Sequence, residues 1–479
     1  MGAIVVAQWS GAEVGSPGEV RIRSRLPNWV RTARDTTDEV ARHAPARLAL
    51  FTFAGVVAIV AALLLTPFAT ADGRRAPFVD ALFTAVSAVS VTGLSTVETG
   101  SYWSTSGQVV ILVGIAIGGL AVMTLAALLG LAVSRRLGLT ERMLAATESR
   151  TPRLGEVGSL LRVVVIASTA VEGAIAAVLF PRFLALGEST GNALWHSVFY
   201  GVSAFNNAGF APTTEGLPVH LGDWWVAAPI ALGALIGSVG FPAILDLGRH
   251  PRSPRFWSLH TKLTLAASFA VLGGGALVIG IGEWNNPATL GSQSLPSKVL
   301  STLFVSVNAR SGGFSTIPVG GMHEPTWLIT DALMFVGGGS ASTAGGIKVT
   351  TLAVMLLAIV AEARGHRDIE AFHRRIPKGM LRIAVAVTLA SATIVLLGTM
   401  LLLAITGRRL DEVLFEVISA FSTCGLSTGI TPDLPDAGKY LLSVIMFVGR
   451  TGSMTLAAAL ALRDRRRVIR QPEERLLIG

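Results

Sequence analysis

One cysteine in 479 residues, Cys424, excludes an intrachain disulfide and argues against a cysteine-rich metal centre. Histidine is sparse as well: the eight are scattered, with His260, His366 and His373 in basic loops, and they suggest no metal site. Charged residues make up only 14% of the chain against 51% apolar. That is too little surface charge for the two- or three-domain soluble protein that this length would otherwise suggest. An early apolar run is missing too. The first begins near Leu48, too far from Met1 for a secretory signal peptide. The segment before it carries Arg21, Arg23, Arg25, Arg31 and Arg34, leaves no room for a spanning helix, and reads as a cytoplasmic tail over 1–46.

What the chain has instead is apolar runs of roughly 20 residues, the length of helix that crosses a hydrocarbon core of about 30 Å. The expectation is an all-α polytopic membrane protein. A net charge of +9 does not point to nucleic acid, because the basic residues sit in short loops beside the apolar runs, as cytoplasmic loops do.

One stretch is written four times. Aligned on a glycine, the copies are Ser-Ala-Val-Ser-Val-Thr-Gly93-Leu-Ser-Thr, Ser-Ala-Phe-Asn-Asn-Ala-Gly209-Phe-Ala-Pro, Val-Asn-Ala-Arg-Ser-Gly-Gly313-Phe-Ser-Thr and Ser-Ala-Phe-Ser-Thr-Cys-Gly425-Leu-Ser-Thr. Phe83, Phe199, Leu303 and Phe415 each stand ten residues before the glycine. A duplicated structural turn is the plainer alternative, but four copies at matching places in four matching units suggest re-entrant pore segments around one ion pathway.

The spans fall at about 47–65, 107–133, 160–180, 224–247, 263–282, 327–363, 383–405 and 440–462, with short helices at about 77–90, 190–205, 296–308 and 410–422, too short to cross. The fold expected is therefore four tandem helix–pore-loop–helix units, eight spans plus four re-entrant pore helices, around one pseudo-four-fold pore. The units are 47–136, 158–248, 258–364 and 380–463, followed by a tail over 464–479. Every basic cluster lies between units or at a terminus, while the loops by the glycine motifs carry acids such as Glu98, Glu215, Asp223, Glu324, Asp433 and Asp436. This asymmetry predicts both termini in the cytoplasm and the motifs entered from outside.

Irregular backbone at membrane depth is tolerated only where protein buries it or water bathes it. Pore helices with their partially negative C-terminal ends turned inward favour a cation, and backbone carbonyls beyond them can replace its hydration shell. The candidate ion-binding residues are Val91, Thr92 and Gly93; Asn207, Ala208 and Gly209; Ser311, Gly312 and Gly313; and Thr423, Cys424 and Gly425. Glycine suits such a loop because it reaches positive φ without steric cost.

The four-unit plan, these glycines, the glycine-rich break in the third inner helix and Val448-Gly-Arg450 resemble the Trk/Ktr/HKT potassium transporters over about residues 47–463, with the Ktr-type membrane subunit the nearest in plan. The resemblance implies potassium uptake across the plasma membrane, a homodimer in membrane lipid with one pore per subunit, and a cytosolic nucleotide-binding RCK-type regulatory subunit. Members with serine at the first filter glycine tend to pass sodium; Gly93 at that position leans towards K+. A sodium-translocating or sodium/proton-coupled transporter of the same fold is the alternative.

Two further constellations follow. Gly337, Gly338, Gly339, Ser340, Ala341, Ser342, Thr343, Ala344, Gly345 and Gly346, with Lys348, cannot hold a regular helix, since each glycine costs up to about 1 kcal/mol. An apolar span broken at mid-depth suggests a hinge or loop lying across the pathway, and the resemblance implies that it is an intramembrane gate; close helix packing through small residues is the other reading. Arg450 lies about ten residues into the last span, where a guanidinium is costly unless it faces protein or water. It is expected as an electrostatic barrier tethered to the gate loop, with a snorkelling arginine as the alternative. Asn206, Asn207 and Arg310 are expected to brace the loops, Glu172 to pair with a neighbouring polar group in a structural role, with ion binding as the alternative, and Cys424 to serve as a small packing residue. Units that share one orientation disfavour a transporter built on inverted repeats. An intramembrane enzyme is disfavoured too, because Gly237-Ser-Val-Gly240 has no evident base partner. No nucleic acid and no organic cofactor are expected.

Overall fold

The computed structural model describes residues 45–134, 157–214, 217 and 222–462. The expected tails and the first basic inter-unit loop, with Arg135, Arg136, Arg142, Arg150 and Arg153, lie outside the described residues. The chain divides into two compact units between Ala49 and Leu50; only 45–49 of the first is described, and the second, from Leu50 onward, holds the site.

Fourteen helices of eight or more residues are described: α1 (Pro45–Leu64), α2 (Phe78–Ser90), α3 (Thr105–Ser134), α4 (Val157–Ala185), α5 (Thr190–Asn206), α6 (Trp224–Val239), α7 (Phe241–Arg249), α8 (Leu259–Glu283), α9 (Leu295–Asn308), α10 (Glu324–Phe335), α11 (Val349–Ala363), α12 (Lys378–Thr406), α13 (Leu410–Phe421) and α14 (Asp436–Leu462). Local chemistry starts several of them. Ser189, Asp223 and Ser258 cap α5, α6 and α8 by accepting the N–H of Asn192, Trp225 and Thr261. Proline stands in the first turn of α7, α9 and α10, where its missing N–H is no loss.

Among the described residues, four stretches are long and apolar enough to cross a membrane alone: Thr105–Thr124, Leu161–Ala185, Leu259–Glu283 and Gly379–Thr406. The pair α6 and α7 would make a fifth but is bent by 97°. The sequence led us to expect one straight span over 224–247; the chain instead turns at Gly240, φ +95°. Pro242 has no N–H to continue the ladder of α6 to the Ser238 carbonyl, which accepts from Gly339 instead, and the Ser340 carbonyl occupies the space a Cβ on Gly240 would need.

The short helices α2, α5, α9 and α13 sit inside the molecule. In α2 every residue from Phe83 to Ser90 is buried, and in α13 every residue from Phe415 to Phe421. Each packs within its own repeat, α2 on α3, α5 on α4, α9 on α8 and α13 on α12. Each also packs on an inner helix of its neighbour: α5 on α3, α9 on α6, α13 on α10, and α2 on α14. The last contact closes a ring. Lys439 of α14 and Asp80 of α2 pair across that closure at 3.1 Å with both side chains largely buried, and Phe53 of α1 meets Phe447 of α14 edge-on.

Between α11 and α12 a hairpin pairs β1 (Ile369–Ala371) with β2 (Arg374–Ile376), Ile369 opposite Ile376. Its two turn residues, Phe372 and His373, both have positive φ, as a two-residue hairpin of matching twist requires. Ile369 and Ile376 bury against Ala361, which anchors the hairpin to the end of α11.

Candidate ion pathway and the loop beneath it

Each buried short helix ends in a loop with the same backbone signature. Two residues before each motif glycine φ is positive, at Val91 (+56°), Asn207 (+60°), Ser311 (+100°) and Thr423 (+47°), and it is positive again at Gly93 (+94°), Gly209 (+69°), Gly313 (+74°) and Gly425 (+95°). The residue between has ordinary φ. Such alternation converges successive backbone polar groups on one side, whereas extended chain points them to opposite sides. For valine and threonine this is strained geometry that the surroundings must enforce. Part of that enforcement comes from the helix end: the N–H groups of Thr92, Ala208 and Cys424 bond the carbonyls of Ser87, Ser203 and Ser419 at 2.8–2.9 Å. Gly93 and Gly425 donate to the hydroxyls of Ser87 and Ser419 at 3.1 Å.

The four glycines face one another in sequence order. A Cβ placed on Gly93 would strike the Ala208 carbonyl oxygen and come within 3.1 Å of Gly209 Cα; on Gly209 it would lie 2.8 Å from Gly313 Cα. On Gly313 it would lie 2.5 Å from the Cys424 carbonyl oxygen, and on Gly425 it would strike the Thr92 carbonyl and reach within 3.1 Å of Gly93 Cα. All twelve candidate ion-binding residues are thus gathered at one place, and there backbone faces backbone. The side chains point elsewhere. Cys424 Sγ packs 3.4 Å from the carbonyl oxygens of Asn308 and Ala309, and Val91 and Ala208 are fully buried in the apolar core.

The segment from Gly337 to Gly346 leaves the helix at Phe335 and re-enters it at Val349. Its base is closed by Gly337 N–H to Ile347 O (3.0 Å) and Ile347 N–H to Phe335 O (3.1 Å). The bend between α6 and α7 cradles it: Gly339 donates to Ser238 O (2.7 Å), Thr343 to Gly237 O, and Phe241 to Ala341 O, both 3.2 Å. Three of the four motif loops touch it or the residues bonded to it. Asn207 Nδ2 donates to Thr343 Oγ1 at 2.7 Å. Gly345 N–H donates to Ser311 Oγ at 3.1 Å, and Ser311 Oγ donates to Thr423 O at 3.0 Å. A Cβ on Gly345 would lie 2.9 Å from Ser422 C. Lys348 Nζ turns back to Ala344 O at 2.6 Å. Arg450, 3% exposed, donates through Nη1 to Thr343 O, while its Nε and Nη2 have no partner among the described residues.

The bracing residues expected from the sequence find these partners. Asn206 Nδ2 donates to Glu172 Oε1 at 2.8 Å, tying α4 to the second loop. Arg310, 1% exposed, donates to Ser268 O and Oγ and to Gly337 O at 3.2–3.3 Å, and so turns away from the ring. Among the described residues no group of His, Cys, Asp and Glu could hold a metal.

Two features escaped the sequence reading. Gly118, Gly237 and Gly449 press on the last turn of a short helix; a Cβ there would strike the carbonyl of Val89, Phe205 or Phe421. With Gly337 they recur roughly 25 residues after the motif glycines, a spacing that could have found them. The second is Glu416, fully buried on α13. It accepts from Ser427 Oγ (2.5 Å), Thr428 N (3.0 Å) and Thr431 Oγ1 (2.7 Å), pinning the chain that leaves the fourth loop.

Comparison with known proteins gives one consistent family. The description "TrkH: Cation transport protein" matches residues 31–466. The chain is 37% identical to the Ktr system potassium uptake protein B of Bacillus subtilis (strain 168), covering 93% of this chain and 99% of that one. It is 34% identical to the protein of the same name in Vibrio alginolyticus (93% and 97%), and 31% to the potassium/sodium uptake protein NtpJ of Enterococcus hirae (91% and 98%). In fold it is similar to the crystal structure of the potassium transporter TrkH from Vibrio parahaemolyticus, with a TM-score of 0.70 at 16% identity over 88% of this chain and 84% of that one. The chain therefore belongs to the TrkH family of cation transport proteins, membrane transporters rather than enzymes.

Proposed function

We propose that this protein carries potassium into the cell through a pore lined by the carbonyl groups of the four glycine loops. The observation that carries the reading is the closed ring of Gly93, Gly209, Gly313 and Gly425 with its four-fold repeat of alternating φ. Carbonyl groups gathered there replace the hydration shell of a cation, and their number and field strength set which ion is preferred. The short helices end at the ring, so their C-terminal dipole ends lower the energy of a positive charge there. The names of the two Ktr-system relatives support K+ as the substrate.

The chain crosses the plasma membrane eight times with both termini cytoplasmic, as the placement of basic residues between repeats suggests. The loop from Gly337 to Gly346 closes the pathway on the cytoplasmic side of the ring, and Arg450 adds a positive charge that disfavours cations until the loop moves. A cytosolic nucleotide-binding RCK-type subunit moves it, and the membrane subunit is a homodimer. Growth of potassium-uptake-deficient cells at low K+, with and without a co-expressed RCK subunit, tests this. Rescue is expected. Membrane-expressed protein that takes up sodium and fails to rescue growth would overturn the potassium assignment in favour of the sodium-translocating alternative.

A further inference from the structure

We infer that the Ser311 hydroxyl makes the ion affinity of the glycine ring depend on the position of the loop beneath it. The inference rests on the transport reading above and deepens it: Ser311 is a positioning residue through which the gate sets the filter.

Ser311 is fully buried and its hydroxyl stands between two elements. It accepts the N–H of Gly345 at 3.1 Å and donates to the carbonyl oxygen of Thr423 at 3.0 Å. A hydroxyl has one proton to give, so the direction of this chain is fixed: a backbone N–H of the lower loop, the hydroxyl of the third motif loop, then a carbonyl of the fourth. Hydrogen bonds in such a chain polarise one another in a low-dielectric interior. An oxygen that accepts from Gly345 is a stronger donor to Thr423, and a carbonyl that accepts a stronger hydrogen bond offers less electron density to a cation. With the loop seated, the Thr423 carbonyl is weakened as an ion ligand. When the loop leaves, Gly345 takes its N–H with it, Ser311 becomes a poorer donor, and the Thr423 carbonyl is freed for the ion.

The other contacts do not duplicate this link. Asn207 reaches the lower loop through Thr343 Oγ1 by its side-chain amide, without touching a carbonyl of the ring. Arg310 bonds the Gly337 carbonyl from the far side. Among the described residues, Arg450 bonds only the loop. At the aligned position the other copies carry Val91, Asn207 and Thr423. Valine has no hydroxyl, the asparagine amide is bonded to Thr343, and the Thr423 hydroxyl has no partner among the described residues. The relay belongs to the third copy.

The test is a double-mutant cycle on the apparent K+ affinity. Rb+ and K+ uptake are measured in proteoliposomes for the parent, for a variant whose loop is shortened from Gly338 to Ala344, for Ser311→Ala, and for the combination. Ser311→Gly replaces Ser311→Ala in a parallel cycle, because glycine relieves the positive φ of this residue and guards against a folding defect. Losing one polarised hydrogen bond changes affinity by roughly two- to tenfold. Shortening the loop is expected to lower KM for K+ by that factor in the parent, and to leave KM within about 1.5-fold in either Ser311 background. An equal KM shift with and without the hydroxyl, or no shift in the parent, overturns the coupling while leaving the transport reading intact. No cation uptake by the parent overturns both.

Discussion

Replacing Gly313 by alanine puts a methyl group where the third loop presses on the backbone of both the second and the fourth. The added carbon would lie 2.5 Å from the Cys424 carbonyl oxygen and 2.9 Å from Gly209 Cα, where ordinary contact begins at about 3.4 Å. The third loop must therefore part from the fourth by about 0.9 Å and from the second by about 0.5 Å. Neither neighbour is a side chain that can swing away. Alanine at φ +74° adds about 1–2 kcal/mol of backbone strain, and overpacking of this kind costs about 1–3 kcal/mol, so the cost is about 2–5 kcal/mol. Ion coordination depends on the same spacing, so transport should suffer before folding does. The expected result is at least a tenfold fall in K+ uptake, measured as Rb+ flux per monodisperse protein in proteoliposomes, with the protein still folded. Gly273→Ala is the control, since nothing lies within 4 Å of the added carbon and its φ is ordinary; flux should be unchanged. Gly313→Ala protein with parental flux and KM would refute the claim that these glycines form the pathway.

Three other expectations follow from the same contacts. Shortening the lower loop from Gly338 to Ala344 should raise flux severalfold; unchanged or lower flux in folded protein would sink the gate. Arg450→Ala removes both a buried positive charge and the tether to Thr343, so uptake should rise and depend less on the regulatory subunit, and parental kinetics would count against the barrier. Glu416→Ala leaves the donors of Ser427, Thr428 and Thr431 without their shared acceptor, at about 1–3 kcal/mol for each donor left buried. A melting temperature within a degree of the parent in detergent would contradict the pinning role.

The glycine loops were legible because repetition is visible without any knowledge of structure: four motifs at similar spacing, each behind a short apolar helix. Their backbone was not. Val91, Asn207, Ser311 and Thr423 share no residue type, and local preference argues against positive φ for valine and threonine, so only the surrounding protein dictates it. The bend at Gly240 carried a local signal in Gly-Phe-Pro, outweighed by an apolar run long enough for one span. Glu416 could not be read at all, because its partners lie more than ten residues away in the chain that follows the fourth loop, and an acid on an apolar helix announces a partner without naming it.

The third repeat shows why a ring built by repetition needs one irregular member. In the first, second and fourth repeats a serine stands six residues before the glycine, and the inner helices press Gly118, Gly237 and Gly449 against the end of a short helix. In the third, valine replaces that serine at Val307, and the inner helix breaks at Gly337 into a run of small residues. These departures belong together. Without the serine, the third loop lacks the hydroxyl that in the other repeats ties the loop back to its own short helix, and Ser311 supplies a hydroxyl from the loop itself, bonded to Gly345 and Thr423. Arg310 holds the Gly337 carbonyl that the broken helix leaves without an intrahelical donor. The loop that breaks the symmetry thus supplies the contacts that the third repeat lacks, so a change that restores regular helix from Gly337 to Gly346 should disorder the third glycine loop as well as open the pathway.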